Sequence, residues 1–317
     1  MTGLVAHLRR HIWIAPLAVL VLLVAVIGFL RPTTFAPDQI NIKIGAAMTL
    51  ILIATGQTIV VMRGGIDLSV GATLSLATAI AARQTEAGTA ESWGWIAVIL
   101  LLGCGIGLVN GVLIALLELQ PFVVTLATWS VIEGVALIVL PSESSGVPAA
   151  WVSATYASYF GLSLPLILLA LVLVAWGWFS RTRLFGAIRA AGSSERGAFL
   201  NGVPVAATNA WAYALSGFFA AAAGVYFAAQ TGSGSPTLGP QYILPAIAAV
   251  VIGGTSLAGG KTTLVGTIAG ALILTLIGDV VFLLKLASYW QPVMSGLILM
   301  LVVVLTAMTE SRSAGGT

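Results

Sequence analysis

The stretch that decides the fold runs from residue 94 to residue 117 and reads GWIAVILLLGCGIGLVNGVLIALL. It contains no charged residue, and about 20 mainly apolar residues are enough for a helix to cross the hydrocarbon core of a membrane. Inside hydrocarbon every backbone polar group has to be satisfied within the protein, so such a run is expected to be helical. The sequence therefore predicts a transmembrane helix over residues 94–117.

Nine further segments of the chain have the same apolar character. They lie near residues 13–30, 42–62, 66–83, 122–140, 163–180, 208–229, 243–258, 264–284 and 292–308. Only 7% of all residues are charged, whereas a soluble domain carries about 25%. The surplus apolar surface must face lipid, so we predict an all-α, polytopic membrane helix bundle of about ten transmembrane helices.

The basic residues indicate how this bundle is oriented, because Lys and Arg concentrate on the cytoplasmic side of membrane proteins. If the N-terminus is cytoplasmic, nine of the thirteen basic residues fall inside. These nine are Arg9, Arg10, Arg63, Arg181, Arg183, Arg189, Arg196, Lys261 and Arg312. We expect both termini in the cytoplasm. The first apolar run is longer than a signal-peptide core of about 7–15 residues, and we expect it to remain as a span.

The sequence shows no enzymatic or metal-binding constellation. The tract 259–263 reads GGKTT, but a phosphate-binding loop also needs a glycine at the position that Thr255 occupies. His7 and His11 are only two ligands, and we interpret them as solvated residues of a basic end. The net charge of +3 is small and its basic residues are dispersed, which argues against a nucleic-acid partner. We expect no cofactor, no metal and no ATP hydrolysis by this chain.

Three carboxylates within the predicted spans are candidates for function, because charge at membrane depth is costly. Asp67, Glu133 and Asp279 can each line a translocation path or make a structural hydrogen bond. For Asp67 we favour a structural role, as a cap on the start of the span that follows it. Trp129 can stack on the ring of a transported solute, although packing or a membrane-interface position explains most membrane aromatics.

The chain also contains a weak internal repeat. Residues 64–71 (GGIDLSVG) resemble residues 253–260 (GGTSLAGG), and both segments lie between a valine-rich run and a helix rich in small residues. Transporters are often built from internal repeats with glycine-interrupted helices at matching places. The match predicts two related helix breaks, one in each half of the chain.

Four ordered motifs resemble those of the ribose/xylose/arabinose-type permeases of ATP-binding-cassette sugar importers. The first is GGIDLSVG at 64–71, and the second is NGVLI at 110–114 followed by QPFVVTL at 120–126. The third is GAIRAAGSSERGAFLNGV at 186–203, and the fourth is IAAVVIGGTSLAGG at 247–260. The resemblance spans nearly the whole chain. It departs from the family at Glu133, where an arginine is expected, and at Asp279, where many members carry asparagine.

The resemblance implies that residues 1–317 form one transmembrane permease domain of the bacterial inner membrane, surrounded by lipid. Its implied partners are an ATP-binding-cassette ATPase, a second permease chain in a homo- or heterodimer, and a periplasmic or lipid-anchored sugar-binding protein. The implied cargo is a monosaccharide or related polyol. The alternative class is an ion-coupled secondary transporter that uses Asp67, Glu133 and Asp279 as a relay.

The resemblance also implies where the chain contacts its ATPase. In such importers a short coupling helix carries the motion of the ATPases to the membrane spans. This helix is expected within the cytoplasmic loop at about 181–206, which charge alone marks as the longest cytoplasmic connection. The expected contacts are Arg189, Ser193, Ser194, Glu195, Arg196 and Asn201.

Overall fold

The computed structural model describes residues 13–84, 90–287, 289–297 and 300. His7, His11, Arg312 and most of the tenth predicted span lie outside these residues. The helices are α1 (Ile14–Leu30), α2 (Pro37–Arg63), α3 (Ser69–Gln84), α4 (Ala90–Leu117), α5 (Pro121–Val139), α6 (Ala149–Tyr156), α7 (Leu164–Phe179), α8 (Arg183–Ser193), α9 (Glu195–Leu200), α10 (Val205–Thr231), α11 (Pro240–Ile252) and α12 (Leu264–Leu283).

A helix lies at each of the first nine predicted spans, and residues 290–297 at the start of the tenth are helical as well. A 3-10 helix covers Pro32–Phe35, and the strands β1 (Ser158–Tyr159) and β2 (Leu162–Ser163) form a small antiparallel hairpin. The all-α, polytopic class predicted from the sequence is therefore confirmed.

Five of the described helices are long and apolar enough to cross a membrane by length and composition: α2, α4, α5, α10 and α12. A sixth span results if α7 and α8, which meet at an angle of 78°, are counted as one broken span. Two more apolar helices, α1 and α11, are shorter than these.

Helix α2 forms the centre of the bundle, and α4 and α5 form part of its surface. In the most apolar window of α2, 89% of the residues are buried, whereas in that of α5 only 17% are. Helix α10 packs on α4 through glycines, and a Cβ atom on Gly217 would overlap the carbonyl oxygen of Gly103. Small residues let membrane helices approach this closely. Leu101, Leu116 and Ile138 on the outer faces of α4 and α5 are exposed, so these faces meet lipid or another chain.

The two predicted helix breaks share one backbone geometry. Gly64 after α2 has a φ of 92°, and the amide of Gly65 bonds to the carbonyl of Val60 at 3.0 Å. Gly254 after α11 has a φ of 89°, and the amide of Thr255 bonds to the carbonyl of Val250 at 3.1 Å. A left-handed glycine with this six-to-one bond is a Schellman motif, which satisfies the last carbonyls of a helix. Both breaks therefore end a helix in the same way.

Candidate functional site

Three segments distant in sequence meet at one end of α2, which we call the Arg63 end. The amide of Gly260 in the second break donates to the carbonyl of Met62 at 2.9 Å. A Cβ atom on Gly192 near the end of α8 would overlap the same carbonyl oxygen. A Cβ atom on Gly259 would lie 2.5 Å from the carbonyl oxygen of Gly192. We call this backbone-to-backbone contact the glycine junction; it joins both helix breaks to the end of α8.

Arg63 adds side-chain bonds to the glycine junction. Its Nε donates to Thr208 Oγ1 in the first turn of α10 at 3.0 Å, and its Nη2 lies 3.3 Å from Glu195 Oε2. The Arg63 side chain is 8% exposed and that of Glu195 is 66% exposed. Because Glu195 begins α9, one buried guanidinium ties the end of α2 to α9 and to α10.

The structure gathers all six residues predicted to contact an ATPase on the connection formed by α8 and α9. All six are exposed, and several cap or extend these short helices. Ser194 Oγ accepts the amide of Gly197 at 3.1 Å and so caps the start of α9. Asn201 Nδ2 donates to the carbonyl of Gly197 at 2.8 Å at the other end. The connection therefore offers a polar surface held in shape by its own hydrogen bonds.

An open cavity of about 720 Å3 adjoins this connection. Its wall includes Arg63, Glu118, Glu195, Phe199 and Tyr213. The cavity lies between the ends of α2 and α4, the short α9 and the start of α10. A partner protein that enters this space can contact the charged residues of the Arg63 end.

Asp67 lies fully buried just beyond the first break and takes three hydrogen bonds. Its Oδ1 accepts the amide of Ser69 at 2.9 Å and the Ser69 hydroxyl at 2.6 Å, and its Oδ2 accepts the Ser216 hydroxyl at 2.8 Å. With its amide oriented to satisfy both bonds, Gln57 pairs with the backbone N–H and C=O of Asp67 at 3.2 Å each. The Asp67 carboxylate therefore ties the start of α3 to α10, and the Asp67 backbone ties it to α2.

The Asp67 network continues through side chains that sequence reasoning missed. Asn110 Nδ2 on α4 donates to Ser69 Oγ at 2.9 Å, and Thr128 Oγ1 on α5 donates to Asn110 Oδ1 at 2.6 Å. The network thus joins the start of α3 to four other helices, α2, α4, α5 and α10. A signal was available, because an asparagine inside an apolar span needs a buried partner.

Asp279 lies near the opposite end of α2, which we call the Lys43 end. Lys43 Nζ donates to Asp279 Oδ2 at 2.6 Å, and the two side chains are 18% and 30% exposed. A cavity of about 470 Å3 and a second of about 350 Å3 both have Lys43 and Asp279 in their walls. Asp279 therefore faces open space as well as its ion-pair partner.

Trp129 and Glu133 lie one turn apart on α5 and are both half-buried. Trp129 Nε1 is buried and has no hydrogen-bond partner among the described residues. Glu133 has no ion-pair partner within residues 13–84, 90–287 and 289–297. In the same part of the chain, no group of three or more His, Cys, Asp and Glu side chains is placed to hold a metal ion.

Comparison with known proteins gives one family. A family model described as "branched-chain amino acid transport system / permease component" matches residues 41–303. The ribose import permease protein RbsC of Escherichia coli is 35% identical to this chain in an alignment of 299 residues that covers 90% of this chain and 91% of the relative.

Two further relatives from Escherichia coli have other names. The autoinducer 2 import system permease protein LsrC is 33% identical over 300 residues, covering 92% of this chain and 85% of the relative. The D-allose transport system permease protein AlsC is 32% identical over 286 residues, covering 89% and 87%. No solved structure matches the chain.

Proposed function

Because the chain belongs to this family of transport-system permease components, we propose that it is the membrane-spanning subunit of an ATP-driven importer for a monosaccharide or related polyol. In this proposal it forms the translocation path, and a separate ATP-binding-cassette subunit hydrolyses ATP. A second permease chain and a sugar-binding protein complete the importer.

The observation that carries the proposal is the attachment of the α8–α9 connection to α2. A motion applied to exposed residues reaches the membrane spans only if the segment between them is rigid. Here the backbone of α8 touches the backbone of α2 at Gly192, and Glu195 pairs with the buried Arg63. A push on α9 therefore moves α2, in whose most apolar window 89% of the residues are buried.

The chemistry of the cargo is inferred from the relatives. The name of one relative contains ribose and that of another contains D-allose, and both compounds are monosaccharides. The description of the family model instead names branched-chain amino acids. Sugar and leucine uptake are therefore the two outcomes that a transport assay has to separate.

The proposed location is the bacterial inner membrane, with the Arg63 end and both termini on the cytoplasmic side. The excess of basic residues on that side supports this orientation. The exposed apolar faces of α4 and α5 suit lipid or the second permease chain.

The ion-coupled alternative gains no support from the described residues. A relay needs carboxylates that can exchange protons or ions, directly or through water. Asp67 is enclosed by its three donors, and Asp279 is paired with Lys43 at the other end of α2.

The first test is purification of the tagged chain from native membranes in mild detergent, with its partners identified by mass spectrometry. We expect an ATPase to accompany the chain and to be lost when residues 189–201 are replaced by a Gly/Ser linker. The matched control replaces the hairpin at 158–163, which lies at the Lys43 end because Ser163 Oγ bonds to Asn41 Oδ1 at 3.0 Å. An ATPase that stays bound after the first replacement contradicts the proposed docking site.

The second test is uptake into vesicles that contain the chain, its ATPase and its binding protein. We expect ATP-dependent accumulation of a monosaccharide such as D-ribose or D-allose. Accumulation of leucine with no sugar uptake would contradict the proposed cargo while leaving the importer assignment in place.

A further inference from the structure

The cavity of about 470 Å3 at the Lys43 end has a mixed wall, in which apolar residues alternate with polar and charged ones from several parts of the chain. Helices α2, α11 and α12 each contribute polar or charged residues, and the segment after α12 adds two more. These are Lys43, Gln241, Tyr242, Thr275, Asp279, Gln291 and Ser295. The volume falls within the roughly 300–1,000 Å3 of small-molecule sites, whose walls are mainly apolar with a few polar groups.

The Lys43–Asp279 ion pair is the charged part of this wall. Its two side chains are neither fully buried nor fully solvated, at 18% and 30% exposure. The same two residues also line the adjoining cavity of about 350 Å3, whose wall includes Arg31, Thr33, Thr34 and Gln39. The pair thus belongs to the walls of both cavities.

Pro245 interrupts the hydrogen-bond pattern of α11 beside the cavity. It lies inside α11, where proline has no amide to donate to the carbonyl four residues earlier. That carbonyl belongs to Gln241, and both Gln241 and Pro245 line the same cavity.

Tyr242 and Gln291 supply the remaining features of a carbohydrate site. The Tyr242 ring lines the cavity and makes an edge contact with Phe227 at 6.3 Å between centroids, which fixes its position. The Gln291 side-chain amide lies over Gly278, since a Cβ atom on Gly278 would lie 3.3 Å from Gln291 Nε2. An aromatic ring and a side-chain amide thus lie in the same wall as the ion pair.

We infer that this cavity is a hydroxyl-binding subsite for a monosaccharide or polyol, with Lys43 and Asp279 as its charged ligands. The inference rests on the proposed function and names the residues that bind the cargo within the chain. A hydroxyl can donate to the Asp279 carboxylate and accept from the Lys43 ammonium, so neighbouring hydroxyls of one sugar can take over both halves of the pair. Hydrogen bonds to charged groups are stronger than those between neutral groups, so a charged pair can bind an uncharged solute through its hydroxyls.

The competing interpretation is that the ion pair only fastens α2 to α12. A purely structural pair predicts that a sugar leaves the chemical accessibility of the cavity wall unchanged. A binding subsite predicts that a sugar shields the wall, and that the shielding depends on Asp279. Accessibility of one wall residue therefore separates the two interpretations.

The experiment measures the labelling rate of a cysteine placed in the cavity wall at Thr275, a half-buried residue of α12. The background is Cys104→Ser, which removes the single native cysteine of the full chain. Native-membrane vesicles carrying Thr275→Cys are treated with a small water-soluble methanethiosulfonate, with and without D-ribose or D-allose. The matched control is Phe160→Cys, which is fully exposed in the turn of the hairpin at the same end.

We expect a sugar present at about ten times its Kd to slow labelling of Thr275→Cys about tenfold, because only unoccupied sites react. Labelling of Phe160→Cys should not change. Polyethylene glycol of equal osmolarity, too large for the cavity, should protect neither cysteine. In Thr275→Cys/Asp279→Asn the protection should be lost, while the membrane level of this double variant should equal that of Thr275→Cys and so show that the chain still folds.

Equal labelling rates with and without both sugars would overturn the inference, as would protection that survives Asp279→Asn. Uptake measured in parallel separates this result from the proposed function. Sugar uptake by the Thr275→Cys chain without protection removes the subsite alone. Protection without ATP-dependent uptake supports the subsite and contradicts the importer, and the absence of both overturns the two proposals together.

Discussion

The charged residues at the two ends of α2 differ in burial and in hydrogen bonding. At the Arg63 end Arg63 and Asp67 are buried and held by hydrogen bonds from several helices. At the Lys43 end, about 30 Å away at 1.5 Å of rise per residue, Lys43 and Asp279 are half-exposed and line two cavities. One helix thus has a closely packed junction at one end and two open cavities at the other.

This difference follows from what each end has to do in the proposed importer. A junction that transmits motion needs direct backbone contact and few alternative arrangements, which the glycine junction provides. A surface that meets a hydroxylated solute instead needs polar groups whose bonds can be exchanged with that solute. Substitutions at the two ends should therefore affect stability and transport in different proportions.

The largest expected effect on stability is that of Asp67→Ala. The substitution leaves two serine hydroxyls and one amide without their buried acceptor, and each unsatisfied group costs about 1 kcal/mol or more, so we expect a loss of roughly 3 kcal/mol in the free energy of unfolding. Thermal unfolding of the purified chain in detergent measures this loss. The matched control Asp279→Ala removes the carboxylate of the half-exposed pair and should cost far less. Equal losses would contradict the contrast between the ends.

The next effect tests the glycine junction. Gly192→Val places a side chain against the carbonyl of Met62, and overpacking of this kind costs about 1–3 kcal/mol, so we expect destabilisation of about 2 kcal/mol together with loss of uptake. Gly186→Val on the same helix is the control, because its Cβ would meet nothing within 4 Å. Both variants replace a glycine of α8 by valine and so change helix propensity in the same way. Any difference in unfolding temperature or uptake therefore measures the junction itself. Similar behaviour of the two would mean that close packing at Gly192 is unimportant.

Asp279→Asn should change transport more than stability. The ion pair is partly solvated, and such pairs contribute about 0–1 kcal/mol, so we expect destabilisation of at most about 1 kcal/mol. Uptake should nevertheless fall severalfold, since the charged ligand of the proposed subsite is lost. Initial uptake rates, corrected for the amount of chain in the membrane, check this. A loss of stability with unchanged corrected uptake would favour a purely structural pair.

The smallest effect on stability is expected for Glu195→Gln at the Arg63 end. The carboxylate is 66% exposed, and pairs of this kind contribute about 0.5 kcal/mol or less. We expect normal assembly but less sugar transported per ATP hydrolysed, because α9 loses its charged link to Arg63. Glu118→Gln alters another carboxylate in the wall of the same cavity and serves as the control. A normal transport-to-hydrolysis ratio for Glu195→Gln would remove this link from the coupling route.

Much of the fold could be predicted because a membrane simplifies the problem. Apolar length alone located nine helices, since each span has to satisfy its own backbone in hydrocarbon. The glycine pairs at 64–65 and 253–254 marked both helix breaks, because left-handed backbone after a helix favours glycine. Hydropathy could not show that α7 and α8 meet at 78°, since an angle between helices depends on packing partners.

The candidate site was less predictable. Charge and loop length identified the connection at 181–206, and all six residues expected to contact an ATPase are exposed on it, but the contacts themselves stay a prediction. The Asp67–Ser216 bond, between residues 149 apart in sequence, left no local pattern. The same is true of the Lys43–Asp279 pair, whose members are 236 residues apart.

The sequence by itself determined that this chain is a polytopic helical membrane protein, where nine of its helices lie, and to which family of permeases it belongs. It favoured a structural role for Asp67 and left Asp279 open between a structural bond and the translocation path, but it identified no partner side chain on a distant helix for either carboxylate. Only the tertiary structure decided that the first is enclosed by donors from neighbouring segments and that the second faces open cavities beside Lys43. The physical reason is that the state of a charged group in a membrane protein depends on which distant residues surround it, and hydropathy reports only on its neighbours along the chain.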